Sequence, residues 1–402
     1  MTAYLDHGPT AYLDHSPTAY LDHNATTPVR PEVVDAMLPW LRDGYGNPNS
    51  VYSLGQRARA AVERAREQVA KLLGASDAAE IVFTSGGSES DVLAVAGGAW
   101  QAHDETKGKR RKVVATKIEH DAIRLLAGQL RRRGLDVLEA GCGPDGVVDA
   151  AAMKAMIDDA ASVVSVMHAN NETGVLQPVA EIAAAARAAG ALAHTDAVQS
   201  LAKVQIDVKA LGVDLLAVSG HKVNAPKGVG ALWVRRGVRL SPLITGHQEK
   251  NRRGGTENTA SIVGFGLACE LAARELASAH QHALALRRKL EAGILLIPGS
   301  RLNGHPDLRL PNTAHFSFDG VDGHHLVVAL DLEGVCVSSG PACSSGASAP
   351  SHVLTAMGVA PERATGSIRV SVGWGSTDAD ADRLISALPK AVAKLRAVGA
   401  PA

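Results

Sequence analysis

The sequence predicts an α/β protein: a large domain on a mostly parallel sheet, then a smaller α+β C-terminal domain. Three observations predict it. From about residue 31 to 255, short apolar runs alternate with Ala-rich or amphipathic stretches of helical period. That is the pattern of parallel strands with helices on both faces. Polar clusters sit just past the ends of several apolar runs, where open α/β sheets bind ligands. After about residue 255 the texture changes to two long helical patterns followed by mixed shorter elements. A chain of 402 residues is long enough for more than one core.

The elements follow in order. The hexapeptide Thr-Ala-Tyr-Leu-Asp-His occurs at Thr2 to His7, Thr10 to His15 and Thr18 to His23, a period of eight. Solenoid repeats are longer and more numerous, so this is no architecture. The first two copies end in the turn formers Gly8-Pro9 and Ser16-Pro17, and only the third runs on into Asn24-Ala25-Thr26-Thr27-Pro28. A tandem duplication is expected, with 1–17 a mobile extension and 18–30 an arm; a regulatory or partner-binding tail is the other reading. A large domain is expected over 31–257 and the small one over 258–402. Apolar spacing predicts helices at 54–73, 88–100 and 179–189, and strands at 81–83, 113–116, 162–167, 192–195 and 215–219. The C-terminal part predicts helices at 260–277 and 280–297, strands at 313–318 and 367–371, and a last helix at 378–398.

Composition sets limits. Apolar residues make up 46% and charged residues 20%, as in a globular protein, and formal net charge is zero. Bulk charge therefore drives no binding to nucleic acid or a membrane surface. The basic runs Lys107 to Lys112 and Arg131 to Arg133 read as solvated loop or helix ends. Four cysteines (Cys142, Cys269, Cys336 and Cys343) show no CxxC or zinc-ligand spacing. No basic segment with an apolar core opens the chain, and no uncharged run reaches membrane-spanning length. A reducing, cytoplasmic setting is expected.

Four stretches carry chemistry. Val218-Ser219-Gly220-His221-Lys222 ends an apolar strand on a lysine. A partly deprotonated lysine there can form a Schiff base, with Ser219 and His221 suited to a phosphate. Alone, the pentapeptide is equally a surface lysine. In Phe83-Thr84-Ser85-Gly86-Gly87-Ser88 a strand passes through two glycines into a helix, which suits an anion or is an ordinary turn. His194-Thr195-Asp196-Ala197-Val198-Gln199 places a carboxylate at a strand end, where it can pair with a protonated ring nitrogen or cap a helix. Ser338-Ser339-Gly340-Pro341-Ala342-Cys343-Ser344-Ser345-Gly346 sets a thiol in a Gly/Ser-rich stretch, the context of a mobile loop and not of a core. Such a thiol is mostly protonated at neutral pH, with an ordinary pKa of about 8.5.

Together and in this order, the stretches resemble the class V pyridoxal-phosphate aminotransferase superfamily, and within it the cysteine desulfurases of the NifS/IscS type. The resemblance runs from about Ala19 to Ala397. It includes Tyr20 to Pro28, Gly46-Asn47-Pro48, Met167 to Gly174, Arg252 to Asn258 and Pro350 to Leu354. It implies the aspartate aminotransferase-like fold of pyridoxal-phosphate-dependent transferases. It places the cofactor on Lys222, Asp196 at the pyridine nitrogen, Gln199 at the phenolic oxygen and His120 stacked on the ring as a proton shuttle. Gly87, Ser88, Ser219, Gly220 and His221 would surround the phosphate, joined by Thr256 from the other subunit of a homodimer. Asn171 would orient ring oxygen and substrate, and Arg369 would grip the substrate carboxylate. Cys343 would attack the sulfur of L-cysteine, become a persulfide and leave L-alanine. The sulfur would pass to an acceptor such as an iron-sulfur scaffold, with Cys343 a transient iron-sulfur ligand.

The chain departs from the family pattern in places. Tyr52 stands where a histidine is common, Gly87-Ser88 replaces Ala-Thr, Val92 replaces Asn, and Pro341 replaces a serine beside the Cys343 loop. None removes a catalytic group. The stretch Gly246 to Glu249 with Arg252-Arg253 is closest to the nitrogen-fixation branch. Selenocysteine lyase or another class V enzyme, and a catalytically silent iron-sulfur assembly scaffold, are the alternatives.

Overall fold

The computed structural model describes residues 18–340 and 350–399. The first two hexapeptide copies, and Pro341 and Cys343, lie outside the described residues. Strand β1 (Ala19–Tyr20) opens the described chain. A seven-stranded sheet follows, made of β2 (Ile81–Thr84), β3 (Lys112–Thr116), β4 (Asp136–Ala140), β5 (Ala161–Ser165), β6 (Leu192–Asp196), β7 (Leu215–Ser219) and β8 (Gly230–Val234). Its order is β2-β8-β7-β6-β5-β3-β4. Only β8 runs antiparallel to its neighbours. β5, β7 and β8 are buried along their whole length, as the strands of a sheet covered on both faces must be. The α/β fold with a mostly parallel sheet is as the sequence predicts.

Two strands of this sheet escaped the sequence reading. β4 alternates exposed Asp136 and Leu138 with buried Val137 and Ala140 and half-buried Glu139, the mark of an edge strand after a basic helix end. β8 is a short apolar run whose place beside β7 is set by pairing, not by periodicity. The expected helix at 88–100 extends over Gly87–Val92, a wide-turn segment Leu93–Gly97, and Gly98–Glu105.

A smaller antiparallel sheet holds β9 (Ser300–Leu302), β10 (Thr313–Phe318) and β12 (Ser367–Ser371), with β10 in the middle; β11 (Val335–Cys336) pairs in parallel with β1. The third hexapeptide copy is thereby drawn into this half. Leu21 is fully buried there, and Asp22 bridges to Ser371. The chain then crosses to the large sheet, where the Thr27 N–H donates to the His221 carbonyl at 3.0 Å.

The two helices expected at 260–277 and 280–297 are one, Thr259–Ile294. Ser278, Ala279 and His280 contain neither Gly nor Pro, so nothing at the joint breaks the hydrogen-bond ladder. Its first half buries Ile262, Phe265, Ala268 and Cys269 in the larger core; its second buries Leu286, Leu290 and Ile294 in the smaller one. One rigid rod thus carries both cores. It lies close against the helix Ser53–Leu73, because a Cβ on Gly266 would sit 2.6 Å from the Ala65 Cα. No helix among the described residues is long and apolar enough to cross a membrane.

The Gly266 contact makes a paired prediction. Gly266→Ala is expected to lower stability by about 1–3 kcal/mol through overpacking, despite alanine's helix propensity. Gly128→Ala, where the nearest atom to a new Cβ is the Arg132 guanidinium at 3.7 Å, is expected to raise it by about 0.5–1 kcal/mol. Thermal or urea unfolding of the two variants reads the opposite signs. Two shifts of the same sign would refute the close-packing argument.

Candidate active site

The carboxyl ends of β2, β6 and β7 open into a cavity of about 270 Å³, closed on its far side by β12 of the small sheet. Lys222, Asp196, Gln199, Ser219 and His221 lie on its wall, as do Gly87, Ser88, His120, Asn171 and Arg369. Ten residues singled out from separate stretches of sequence therefore face one space. Gly220 is not on that wall; it is buried beneath it, where a Cβ would meet Val229 at 2.8 Å. Thr256 is exposed and outside the chain's own cavity. Cys343 lies outside the described residues.

Lys222 sits on the single helical turn Gly220–Lys222 after β7. Its ammonium donates to the carbonyls of Asn24 at 2.5 Å and Ala25 at 2.7 Å. Burial, with the positive charges of Arg369 and Lys203 adding to it, pulls its pKa down to about 7, against the opposing pull of Asp22 and Asp196. A large share of the amine is then free at neutral pH, the state in which a lysine adds to an aldehyde.

Asp196 closes β6 and is buried. One of its oxygens accepts the Val198 N–H at 2.8 Å. Desolvation raises its pKa, while His120, that N–H and Lys222 act the other way. Two more buried carboxyls stand behind it. Burial holds Asp91 well above the carboxylate range, with Asp196 and Glu119 adding to the effect; burial also pushes Glu119 up to about 8. The floor of the cavity is thus acidic and short of a cation. A protonated ring nitrogen placed there would supply one and draw Asp196 to its ionised form.

The side walls have polar atoms to spare. Gln199 Nε2 donates to the Asn24 carbonyl at 3.1 Å, while Gln199 Oε1 and Asn171 Oδ1 are buried without partners. Asn171 lies in a turn held by Asn170, whose Oδ1 accepts the N–H groups of Glu172 and Thr173. His120 caps the helix Asp121–Arg132: its Nδ1 accepts the Ala122 N–H at 3.2 Å, which leaves Nε2 free for a proton. At the opposite end, Gly87 and Ser88 begin the helical run after β2 and offer backbone N–H groups to an anion. A Cβ at 87 would lie 2.6 Å from Val198 Cγ2, so any larger residue there requires that side chain to shift. Burial, reinforced by Lys222, keeps His221 neutral, at about 4. It serves there as a hydrogen-bonding group and not as a cation. Free lysine, acidic floor, unpartnered amide oxygens and anion-binding turn together fit pyridoxal phosphate.

Arg369 comes from the middle of β12 and is 2% exposed. Its Nη2 donates to Asp22 Oδ1 at 2.7 Å, its Nη1 to the Asn171 carbonyl at 2.9 Å, and its Nε has no partner. Sequence reasoning missed the residues that position these groups. Asp22, Asn24 and Ala25 belong to a recognised motif, but they act on Arg369 and Lys222 through contacts some 200 or more residues apart. His352, on the cavity wall, lies in the recognised Pro350 to Leu354 stretch but was assigned no role; its Nε2 meets the Glu119 carbonyl at 3.0 Å. Burial raises the thiol pKa of all three described cysteines, Cys142 to about 11, with Cys269 and Cys336 also shifted up. None of the three is a ready nucleophile. Among the described residues no group of three or more His, Cys, Asp or Glu is placed to hold a metal ion.

The comparisons agree with this geometry. The model of the family described as aminotransferase class-V matches residues 19–384. Cysteine desulfurase NifS of Azotobacter vinelandii is 45% identical over 93% of this chain and 92% of its own length. Cysteine desulfurase IscS of Methanosarcina thermophila is 44% identical over 92% and 91%. A solved structure described as a NifS-like protein superposes with a TM-score of 0.85 at 34% identity, covering 95% of this chain and 99% of that one. With the family model spanning nearly all of the described residues and these relatives matched over more than nine-tenths of both lengths, the chain belongs to the aminotransferase class-V family.

Proposed function

We propose that this protein is a cysteine desulfurase, a sulfurtransferase that uses pyridoxal phosphate to move sulfur from L-cysteine to an acceptor. The observation that carries the reading is Lys222, half-buried and facing Asp196 and Arg369 in one cavity, with desolvation lowering its pKa. Relatives bearing that activity's name, matched over nearly the whole chain, support it.

Pyridoxal phosphate, when bound, supplies an aldehyde for an amine and a ring that accepts the electron pair left as a substrate α proton departs. In this reading Lys222 holds the cofactor, and its Nζ, once released, moves that proton. Asp196, on the floor, would pair with the cofactor's ring nitrogen. His120 would offer Nε2 for proton transfer, and Asn171 and Gln199 would orient the ring through their side-chain amides. The Gly87 and Ser88 N–H groups, with Ser219 and His221, take the phosphate. Arg369 fixes the substrate carboxylate, already oriented by Asp22 and Asn171.

Cys343 acts as the nucleophile. Its thiolate forms a bond to the substrate sulfur as the substrate's carbon–sulfur bond breaks, leaving a persulfide on Cys343 and the carbon skeleton as L-alanine. Substrate thiol and enzyme thiol together balance alanine and persulfide, with no outside oxidant. The exposed Thr256 reaches the phosphate of a second copy in a homodimer, and the acceptor is a protein of iron-sulfur cluster assembly.

Two experiments test the reading. Apoprotein mixed with pyridoxal phosphate should gain a visible absorption band that Lys222→Ala abolishes. The rate of gain should climb with pH through a midpoint near 7 and level off above it, once the free amine is fully formed. A rate still climbing toward pH 10, as for an ordinary lysine, would contradict the depressed amine. In alanine assays with L-cysteine, Cys343→Ala should lose activity but keep the band. His120→Ala should lower kcat by about 10²–10⁴-fold. Normal alanine production by Cys343→Ala would rule out the persulfide route, and a wild type that makes no alanine would favour a silent scaffold.

A further inference from the structure

Lys222 also borders a second, larger cavity of about 360 Å³. It lies where the segments after β6 and β7 meet the middle of the long helix Thr259–Ile294 and the turn after β12. Its walls are mainly apolar, with Leu201, Val223, Ala272, Pro311, Val372 and Trp374 among them. No group assigned to the cofactor apart from Lys222 faces it.

Besides Lys222, the wall holds a second lysine, Lys203, with no counter-ion among the described residues. The Lys203 ammonium makes a single hydrogen bond, a long one of 3.4 Å to the Lys222 carbonyl. Among the described residues no carboxylate stands within ion-pair distance of it. The cavity's acid, Glu275, is already engaged by Arg30 at 2.7 Å, and Arg30 in turn lies over the Trp374 ring. Of the wall's three histidines, His280 Nδ1 meets the Lys203 carbonyl, His282 Nε2 the Ser376 carbonyl and His23 Nε2 the Ser376 hydroxyl, while His23 Nδ1 is buried without a partner; the Lys203 charge helps keep His23 neutral. Burial lowers the Lys203 pKa only to about 8, so most of it is charged at neutral pH. A half-buried cation set in an apolar wall favours a ligand that supplies the missing anion.

We propose that this cavity binds a small aliphatic carboxylate, its carboxylate paired with Lys203 Nζ and its carbon chain laid against Ala272, Val372 and Trp374. Size and lining suit a ligand of a few carbons with one anionic end. Because the same ammonium donates to the Lys222 carbonyl, an occupant pulls on the segment that positions the cofactor lysine. The site is separate from the carboxylate grip at Arg369 and does not depend on the reaction proposed above.

The test is calorimetric titration of the cofactor-loaded enzyme with butyrate and, as its uncharged analogue, butyramide. Butyrate is expected to bind once per chain and at least about tenfold tighter than butyramide, a difference of about 1.4 kcal/mol. Lys203→Met should reduce butyrate to the level of butyramide. Ala272→Phe should fill the cavity and abolish binding of both while the cofactor's visible band persists. Arg369→Lys should leave butyrate binding in place. Absence of saturable butyrate binding, survival of full affinity in Lys203→Met, or loss of binding in Arg369→Lys instead would each overturn the proposal.

Discussion

The pairing of Arg369 is the constraint on which the rest of the site depends. A guanidinium 2% exposed to solvent must be neutralised and hydrogen-bonded where it lies. Its two partners come from opposite ends of the fold: Asp22 from the N-terminal arm, and the Asn171 carbonyl from a turn of the large domain. To meet it, the arm must run beside β12, and the small sheet must face the carboxyl edge of the large one. Asn24 and Ala25, two and three residues further along the arm, then have their carbonyls aimed at Lys222. One buried cation therefore joins three remote segments of chain and delivers the amine to its place.

The two half-buried lysines answer differently to the same physics. Lys222 feels burial and neighbouring positive charge together, and its amine titrates near neutrality; Lys203 feels burial alone and stays mostly charged. The carboxyls across the cavity are shifted the other way, because they too are stripped of water. A site with an easily freed amine and an acid floor short of a cation is arranged for a group that brings its own ring cation and its own anion. The unpartnered Gln199 and Asn171 oxygens mark where that group's polar edge would lie.

Much of the fold was legible because it follows from local pattern. Buried parallel strands are apolar throughout, so β5, β6 and β7 stood out, and the polar residues past their ends pointed to the ligand edge. β4 and β8 did not stand out. An edge strand carries a weak alternating signal, and a short apolar run such as Gly230–Val234 acquires its place only through pairing with β2 and β7. The joint at Ser278 to His280 looked like a break between two helices, but without Gly or Pro the ladder continues, and one helix serves both cores.

By itself the sequence determined the chemical vocabulary: a lysine and an aspartate at strand ends, a glycine turn before a helix, an arginine in an apolar strand, and a cysteine in a Gly/Ser-rich stretch. It also determined that only the third hexapeptide copy leads into the Asn24 to Pro28 segment. Tertiary structure alone decided what those groups are worth. The depressed amine of Lys222, the raised acids Asp91 and Glu119, and the orientation of Arg369 arise from desolvation and charge between residues up to some 350 positions apart. No local window of sequence contains such terms, because a pKa belongs to a surrounding, and the surrounding exists only once the chain has closed on itself.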